Sequence, residues 1–180
     1  MNMNNFTIKN SSIFIMLIAI SIVSAQNTLD KINVSKNNFV TNDGKTIIFR
    51  GLNTSDPDKL EAQNHWNKAY FEEIKNWGAN LVRFPVHPTA WEKRGEENYL
   101  KLLDDGIKWA GELGIYVIID WHSIGNLRTE MYQSDIYDTT EKQIFDFWRT
   151  IGKKYGNNTT VAFYKLFNEP TVFNNELGTI

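Results

Sequence analysis

The sequence has 180 residues, no cysteine, and 21 acidic against 19 basic side chains, for a formal net charge of -2. The absence of thiols excludes zinc-thiolate sites, disulfide-redox chemistry and a disulfide-stapled fold, so a packed core must hold the protein together. The near-balanced charge gives no indication of a nucleic-acid partner.

The N-terminal segment has the pattern of a secretory signal. Lys9 is the only charged residue before an apolar run from Ile13 to Val23, and Val23-Ser24-Ala25 places small residues where a signal peptidase cleaves. The run is about eleven residues long, roughly half of what a helix needs to cross a bilayer. We therefore expect residues 1–25 to be a signal peptide, the product to be secreted to the extracellular or periplasmic space, and no membrane contact after the signal is removed.

The rest of the chain alternates between strand-like and helix-like patterns. Asn42-Asp43-Gly44-Lys45, between Phe39–Val40 and Thr46–Arg50, predicts a hairpin. Continuous apolar runs predict strands, and apolar residues every three or four positions predict the helices between them. In chain order the predictions are a strand over 47–53, a helix over 69–77, a strand over 79–86, a helix over 99–113, a strand over 115–122, a helix over 140–155 and a strand over 161–168.

The strand starts recur at intervals of roughly 30 to 45 residues, which is the length of a βα unit and makes the sheet parallel. A doubly wound α/β sheet usually has a glycine-rich first turn, but the first strand here ends Arg50-Gly51-Leu52-Asn53 without that pattern. We therefore predict a (β/α)8 TIM barrel, truncated to about its first four βα units. Residues 26–180 would be the N-terminal half of a catalytic domain.

Polar residues gather at the predicted strand ends, where a barrel carries its chemistry. Each has an ordinary structural explanation when taken alone, such as a surface ion pair, a core histidine or a proline turn. Agreement among four strands is better evidence for a shared site. The segments are Arg50 to Asn53, Arg83 to His87, Asp120-Trp121-His122 and Asn168-Glu169-Pro170.

Three motifs together resemble glycoside hydrolase family 5, the cellulase family. They are Leu166-Phe167-Asn168-Glu169-Pro170 after the fourth strand, Val82-Arg83-Phe84-Pro85 on the second and Asp120-Trp121-His122 on the third. The resemblance runs from about Ile32 to the C-terminus, and the Asn-Glu-Pro element is its most diagnostic part.

The resemblance implies a role for each matching residue. Glu169 would be the catalytic acid/base, Asn168 the partner of the sugar 2-hydroxyl, Arg83 the partner of the nucleophile, and His122 a substrate-binding residue. The nucleophilic glutamate of the family follows the seventh strand, so we expect the nucleophile to be absent from this chain. Retention requires such a pair of carboxyl groups, one protonated and one ionised, about 5 Å apart.

Further substrate contacts are expected from His87 and from aromatic side chains, because the C–H face of a sugar stacks on an aromatic plane. We predict sugar platforms at Trp66, Trp91 and Trp121, although Trp121 could equally face a helix. Trp77, Trp109 and Trp148 lie at helical spacing and are expected to pack in the core. No metal or other cofactor is expected, since the three histidines are too scattered to form a recognisable ligand set.

One residue departs from the family pattern. Many family members have a glutamate four residues before the acid/base, where this chain has Lys165. Strand alternation places Lys165 on the inward face, and an unpaired ammonium there is costly. We predict that it pairs with Asp120 on the adjacent strand or opens to solvent.

These features predict a retaining, endo-acting hydrolase of β-1,4-linked glucan, with polysaccharide or oligosaccharide as its partner and a monomer as its complete form. The alternatives are a β-mannanase or another β-glucanase of the same family, or a non-catalytic protein that holds glucan without cutting it. Without its nucleophile, the 180-residue polypeptide itself is expected to be inactive.

Overall fold

The computed structural model describes residues 29–171, so the predicted signal peptide over residues 1–25 lies outside the described residues. The strands within the described range are β1 (Asn33–Ser35), β2 (Asn38–Val40), β3 (Gly51–Asn53), β4 (Leu81–Val86), β5 (Tyr116–Trp121), β6 (Ile124–Asn126), β7 (Met131–Tyr132), β8 (Val161–Lys165) and β9 (Glu169–Pro170). The α-helices are α1 (Pro57–Ala62), α2 (Lys68–Asn76), α3 (Pro88–Arg94), α4 (Glu96–Glu112) and α5 (Glu141–Tyr155), and a 3-10 turn covers Asp135–Tyr137. None of these helices is both long and apolar enough to cross a membrane.

The central sheet contains four strands in the order β3-β4-β5-β8, and every neighbouring pair is parallel. Helices α2, α4 and α5 lie in the connections between successive strands of this sheet. The order of the strands in space therefore follows the order in the chain, as expected when consecutive βα units add strands on one side. The predicted parallel α/β arrangement of four strands is confirmed.

The core lies between this sheet and its helices. On β4 and β5 every second side chain is fully buried in the core, and these are Val82, Phe84, Val86, Val117, Ile119 and Trp121. The helices contribute Phe71 and Ile74 from α2, Leu103, Ile107 and Ala110 from α4, and Phe147, Ile151 and Tyr155 from α5. Because side chains alternate between the faces of a strand, the intervening residues Arg83 and Asp120 face the opposite side of the sheet.

The helix starts follow local capping chemistry. The side chain of Asn67 accepts a hydrogen bond from the Tyr70 backbone N–H at the start of α2. Thr140 and Gln143 form a reciprocal capping box at the start of α5. These caps satisfy backbone N–H groups that the first turn of a helix leaves unpaired.

Some sequence predictions are corrected at the edges of the fold. The turn at Asn42 to Gly44 forms, but Val40 and Thr46 make only an isolated antiparallel bridge, and the hairpin strand is β1, which the sequence did not indicate. The first sheet strand covers only Gly51–Asn53 instead of 47–53, because the side chain of Asn80 replaces strand pairing by binding the backbone of Arg50 and Ile48. Helices α1 and α3 and strands β6 and β7 were also not predicted.

The predicted packing of tryptophans is right for two of three positions. Trp109 and Trp148 are partly buried against the core, as expected. The prediction for Trp77 is wrong, since 71% of this residue is exposed. It lies just after α2, where its indole Nε1 donates to Glu73 Oε1 at 2.7 Å on the surface.

Candidate active site

The buried carboxylate of Asp120, near the carboxyl end of β5, binds two of the predicted site residues. Its Oδ2 accepts a hydrogen bond from His122 Nδ1 at 2.6 Å and lies 3.4 Å from Arg83 Nη1. The Asp120 side chain has no exposed surface, whereas those of Arg83 and His122 are 19% and 15% exposed. A buried charge costs several kcal/mol unless it is paired, and here both partners come from positions that the sequence singled out. Arg83 and His122 therefore converge on one carboxylate.

Asn168 extends this group from the segment that follows β8, the fourth strand of the sheet. Its side-chain oxygen accepts hydrogen bonds from Arg83 Nη1 at 3.1 Å and from Lys165 Nζ. Two cationic donors fix which end of the amide is oxygen, so the amide nitrogen keeps both hydrogens for another acceptor. The predicted grouping of Asn168 with Arg83 is thus present.

Lys165 takes a different partner from the one predicted. It lies on the inward face opposite Asp120 in the strand register, as alternation required, but its hydrogen bond goes to Asn168 and no direct ion pair with Asp120 forms within the described residues. The direct pairing prediction is therefore wrong. Burial lowers the pKa of Lys165 below its usual value and Arg83 adds to this effect, whereas Asp120 and Glu169 act in the opposite direction.

Glu169 does not continue the fourth strand as predicted. Strand β8 ends at Lys165, and Glu169 begins β9, which pairs in parallel with β6. The backbone N–H of Glu169 donates to Ser123 O at 3.1 Å, so this residue is held next to the chain that follows His122. Glu169 is exposed, and its carboxylate forms no hydrogen bond or ion pair within residues 29–171.

His87 belongs to a second carboxylate-histidine pair. Its Nδ1 lies 2.9 Å from Oδ2 of Asp56, and its ring centroid is 5.0 Å from that of His122 in an edge-to-face arrangement. Tyr137 completes this cluster, with ring centroids 5.6 Å from His87 and 6.0 Å from His122.

The predicted tryptophan platforms are not found in this group. Trp66 is buried and donates from Nε1 to Leu102 O at 3.0 Å, and Trp121 is fully buried with its ring centroid 4.4 Å from that of Phe147 on α5. Those two predictions are wrong, and the alternative that Trp121 faces a helix is right. Trp91 on α3 is half-buried and packs against Phe147, with ring centroids 4.9 Å apart, and not against the histidines.

Two members of the cluster were missed by the sequence analysis. Asp56 follows β3 and caps α1, so its pattern is that of an ordinary helix start. Tyr137 lies in the connection between β5 and α5, a segment with no strong periodicity. The one feature of the sequence that could have indicated both residues is that each follows a strand of the central sheet. In a barrel, the loops at those positions bind the substrate. No group of three or more histidine, aspartate or glutamate side chains within residues 29–171 is arranged to hold a metal ion.

The chain is similar in sequence to a family of known enzymes. The family described as Cellulase (glycosyl hydrolase family 5) matches residues 40–178. Endoglucanase A of Butyrivibrio fibrisolvens is 26% identical over 152 residues, which cover 78% of this chain and 32% of that protein. Glucan 1,3-beta-glucosidase of Candida oleophila is 28% identical over 130 residues, covering 62% of this chain and 30% of that protein.

A solved structure gives a more similar relative. The beta-glucanase of Saccharophagus degradans is 51% identical with a TM-score of 0.80, and the match covers 85% of this chain and 46% of that one. The same beta-glucanase has been solved in complex with cellotetraose. The chain thus spans about a third of the first of these curated relatives and just under half of the solved enzyme. Its four parallel strands and the three helices that connect them correspond to the N-terminal part of a (β/α)8 barrel, as predicted.

Proposed function

The chain belongs to glycosyl hydrolase family 5, the cellulase family, and we propose that it forms the acid/base half of a retaining endo-β-1,4-glucanase. The observation that carries this proposal is the convergence of Arg83, His122 and Asn168 around Asp120, with the backbone of Glu169 hydrogen-bonded beside His122. Arg83 lies on β4, Asp120 and His122 lie at the end of β5, and Asn168 follows β8, so these residues meet at the carboxyl ends of three neighbouring strands.

Glu169 is the proposed catalytic acid/base. In the first step of a retaining hydrolysis its carboxyl group gives a proton to the glycosidic oxygen while a nucleophilic carboxylate bonds to the anomeric carbon, and the leaving sugar departs as an alcohol. In the second step the Glu169 carboxylate takes a proton from water as the water oxygen attacks the anomeric carbon and the bond to the nucleophilic carboxylate breaks. The exposure of Glu169 and its lack of other partners among the described residues suit a group that must reach substrate and water.

Asn168 and Arg83 have complementary proposed roles. Because the oxygen of Asn168 is occupied by Arg83 and Lys165, its amide hydrogens are directed elsewhere and can donate to the sugar 2-hydroxyl. Such a hydrogen bond strengthens as positive charge develops on the sugar ring. Arg83 Nε is buried without a hydrogen-bond partner among the described residues, and it is the donor proposed to hold the second carboxylate ionised.

His122 is proposed to bind the substrate through Nε2. Its Nδ1 donates to Asp120, so in the neutral imidazole the remaining ring nitrogen is an acceptor for a sugar hydroxyl. The chemistry also requires a nucleophilic carboxylate about 5 Å from Glu169. We assign no residue of this chain to that role and place the nucleophile on a later strand of the complete barrel.

The proposed substrate is β-1,4-linked glucan. The support comes from the endoglucanase and beta-glucanase relatives, and from the cellotetraose bound to the beta-glucanase of Saccharophagus degradans. Because one relative is a glucan 1,3-beta-glucosidase, β-1,3-glucan is the second candidate substrate. We also propose that the protein is secreted, because residues 1–25 have the sequence pattern of a signal peptide. The complete enzyme is proposed to act as a monomer.

A binding panel tests the substrate class without requiring the nucleophile. Isothermal titration of the chain with cellotetraose, laminaritetraose and mannotetraose is expected to give the highest affinity for cellotetraose. The test variant is Asn168→Asp, which removes the amide donor while preserving side-chain volume. It is expected to weaken cellotetraose binding. Equal affinity for the three sugars, or no binding of any, would reject the proposed substrate class.

A further inference from the structure

Asp56 is a buried carboxylate that the proposed chemistry does not use, yet all of its hydrogen-bonding capacity is engaged. Its Oδ1 accepts from the Tyr99 hydroxyl and from the backbone N–H of Asp58, both at 2.7 Å. Its Oδ2 accepts from the backbone N–H of His87 at 2.8 Å and contacts His87 Nδ1 at 2.9 Å. Capping α1 requires only the bond to Asp58, so the remaining contacts need a separate explanation.

The two contacts to Oδ2 fix both the position and the tautomer of His87. An ionised carboxylate only accepts hydrogen bonds, so His87 Nδ1 must carry a hydrogen, and in the neutral imidazole Nε2 is then left as an acceptor. Tyr99 supports this state, because burial and the adjacent Asp56 charge raise the pKa of its phenol well above the usual range. Tyr99 therefore remains a hydrogen-bond donor to Asp56.

The His87 ring lies beside the proposed substrate site. Its side chain is 21% exposed and its ring packs edge-to-face against that of His122. Tyr137 lies beside both histidines, and its backbone is tied down because Ser123 Oγ donates to Tyr137 O at 2.6 Å and Tyr137 N donates to Ser134 O at 2.9 Å. The Tyr137 hydroxyl forms no hydrogen bond within residues 29–171, so it is also available to a ligand.

We infer that His87 and Tyr137 form a further sugar subsite beside His122, and that Asp56 is the positioning residue that presents His87 Nε2 as an acceptor for a sugar hydroxyl. The chemistry matches a pyranose ring, whose hydroxyls lie at its edge and whose C–H face stacks on an aromatic plane. This inference rests on the proposed function, since it places a second ring of the same substrate next to the ring that His122 contacts.

A metal ion is the competing occupant. Histidines whose Nδ1 donates to a carboxylate are common metal ligands, and two of them lie side by side here. Two imidazoles are nevertheless short of the three protein ligands of a typical zinc site, and no third histidine, aspartate or glutamate completes a ligand group in the described range. The sugar is therefore the better-supported ligand.

A matched pair of substitutions separates the two ends of the His87 ring. Asn places its amide near the position of His Nδ1, so His87→Asn keeps the bond to Asp56 and removes the outward acceptor. Gln places its amide near the position of Nε2, so His87→Gln keeps the outward acceptor and removes the bond to Asp56. Tyr137→Phe and Tyr137→Leu form a second pair, in which only Phe preserves the aromatic plane.

The experiment measures cellotetraose affinity of the whole chain by isothermal titration, with circular dichroism to verify folding and nitrogen-15 NMR to read the His87 tautomer. We expect the Nδ1–H tautomer in the unsubstituted chain and its loss in Asp56→Asn. We also expect at least tenfold weaker binding in His87→Asn and Tyr137→Leu, with most of the affinity retained in His87→Gln and Tyr137→Phe.

Four outcomes would overturn the inference. Unchanged affinity in a folded His87→Asn protein would rule out the subsite while leaving the proposed function intact. An Nε2–H tautomer in the unsubstituted chain would remove the role of Asp56. Stoichiometric Zn²⁺ binding that is abolished by either histidine substitution would assign the cluster to a metal. If the unsubstituted chain binds no cellotetraose, the proposed function fails and the subsite fails with it.

Discussion

His122 and Asp120 are two residues apart at the end of one strand, and the imidazole Nδ1 of the first lies 2.6 Å from the buried carboxylate of the second. The same carboxylate oxygen lies 3.4 Å from the guanidinium of Arg83 on the neighbouring strand. Asp120 therefore sets the orientation of two proposed substrate-site residues at once. It is also the buried charge whose removal would leave Arg83 without an anionic partner among residues 29–171.

Replacement of Asp120 by asparagine is expected to lower the free energy of unfolding by about 3 kcal/mol, because breaking a buried ion pair leaves the other charge uncompensated. Urea denaturation measures this change. Asp135→Asn, at an exposed position in the 3-10 turn, is the matched control and is expected to change stability by less than about 0.5 kcal/mol. Equal effects at the two positions would contradict the organising role of Asp120.

Substitution of two helical glycines by alanine is expected to change the stability of the protein in opposite directions. A Cβ at Gly106 on α4 would overlap the Trp66 ring and lie 3.1 Å from Phe84 Cε2, whereas one at Gly152 on α5 would meet nothing within 4 Å. Gly106→Ala is expected to cost about 1–3 kcal/mol through overpacking. Gly152→Ala is expected to stabilise the protein by about 0.5–1 kcal/mol through helix propensity. Thermal unfolding of both variants tests the packing of Trp66 under α4, which a neutral Gly106→Ala would disprove.

Ionisation of the Tyr132 phenol is expected at an unusually high pH. Burial, with smaller contributions from Glu130 and Asp138, raises the pKa of its phenol to about 12. A raised pKa in the folded state stabilises the protein fully below the unfolded value of about 10, and this contribution is lost as the pH rises towards 12. The difference in phenolate absorbance between the unsubstituted chain and Tyr132→Phe should show a midpoint near pH 12. A midpoint near pH 10 would mean that Tyr132 is not packed as described.

The 180-residue polypeptide should release no reducing sugar from carboxymethylcellulose. Retaining hydrolysis requires a second carboxylate opposite Glu169, and we assign none of this chain's residues to that role. A reducing-sugar assay over long incubation measures this, with Glu169→Gln as the comparison. Hydrolysis by the unsubstituted polypeptide that disappears in Glu169→Gln would show that the chain supplies its own nucleophile.

The sheet and its three long helices could be predicted from the sequence because burial imposes strong periodicity on them. Phe84 and Ile119 lie in continuous apolar runs, and Ile107 and Ile151 repeat at helical spacing. The short elements β6 and α1 could not be predicted, since three and six residues are too few to establish a period. Their positions depend on tertiary contacts.

Individual side chains near the site were harder to place than the strands. Trp66 precedes α2 in what looked like an exposed loop, but it packs against α4, where Gly106 leaves room for its ring. Trp77 has helical spacing yet falls at the end of α2, beyond the last turn that faces the core. Asp56 has the same local sequence pattern whether it only caps α1 or also holds His87, 31 positions along the chain.

The central claim is that the motif residues at the strand ends bind one sugar chain, and an NMR titration with cellotetraose tests it most directly. In side-chain-labelled protein we expect the NMR signals of the Arg83 guanidinium, the His122 ring and the Asn168 amide to shift together. The backbone signal of Glu169 should follow with the same affinity. The central claim would be contradicted if those signals stayed fixed while residues around Lys31 and Asn157, which line a separate cavity, responded instead.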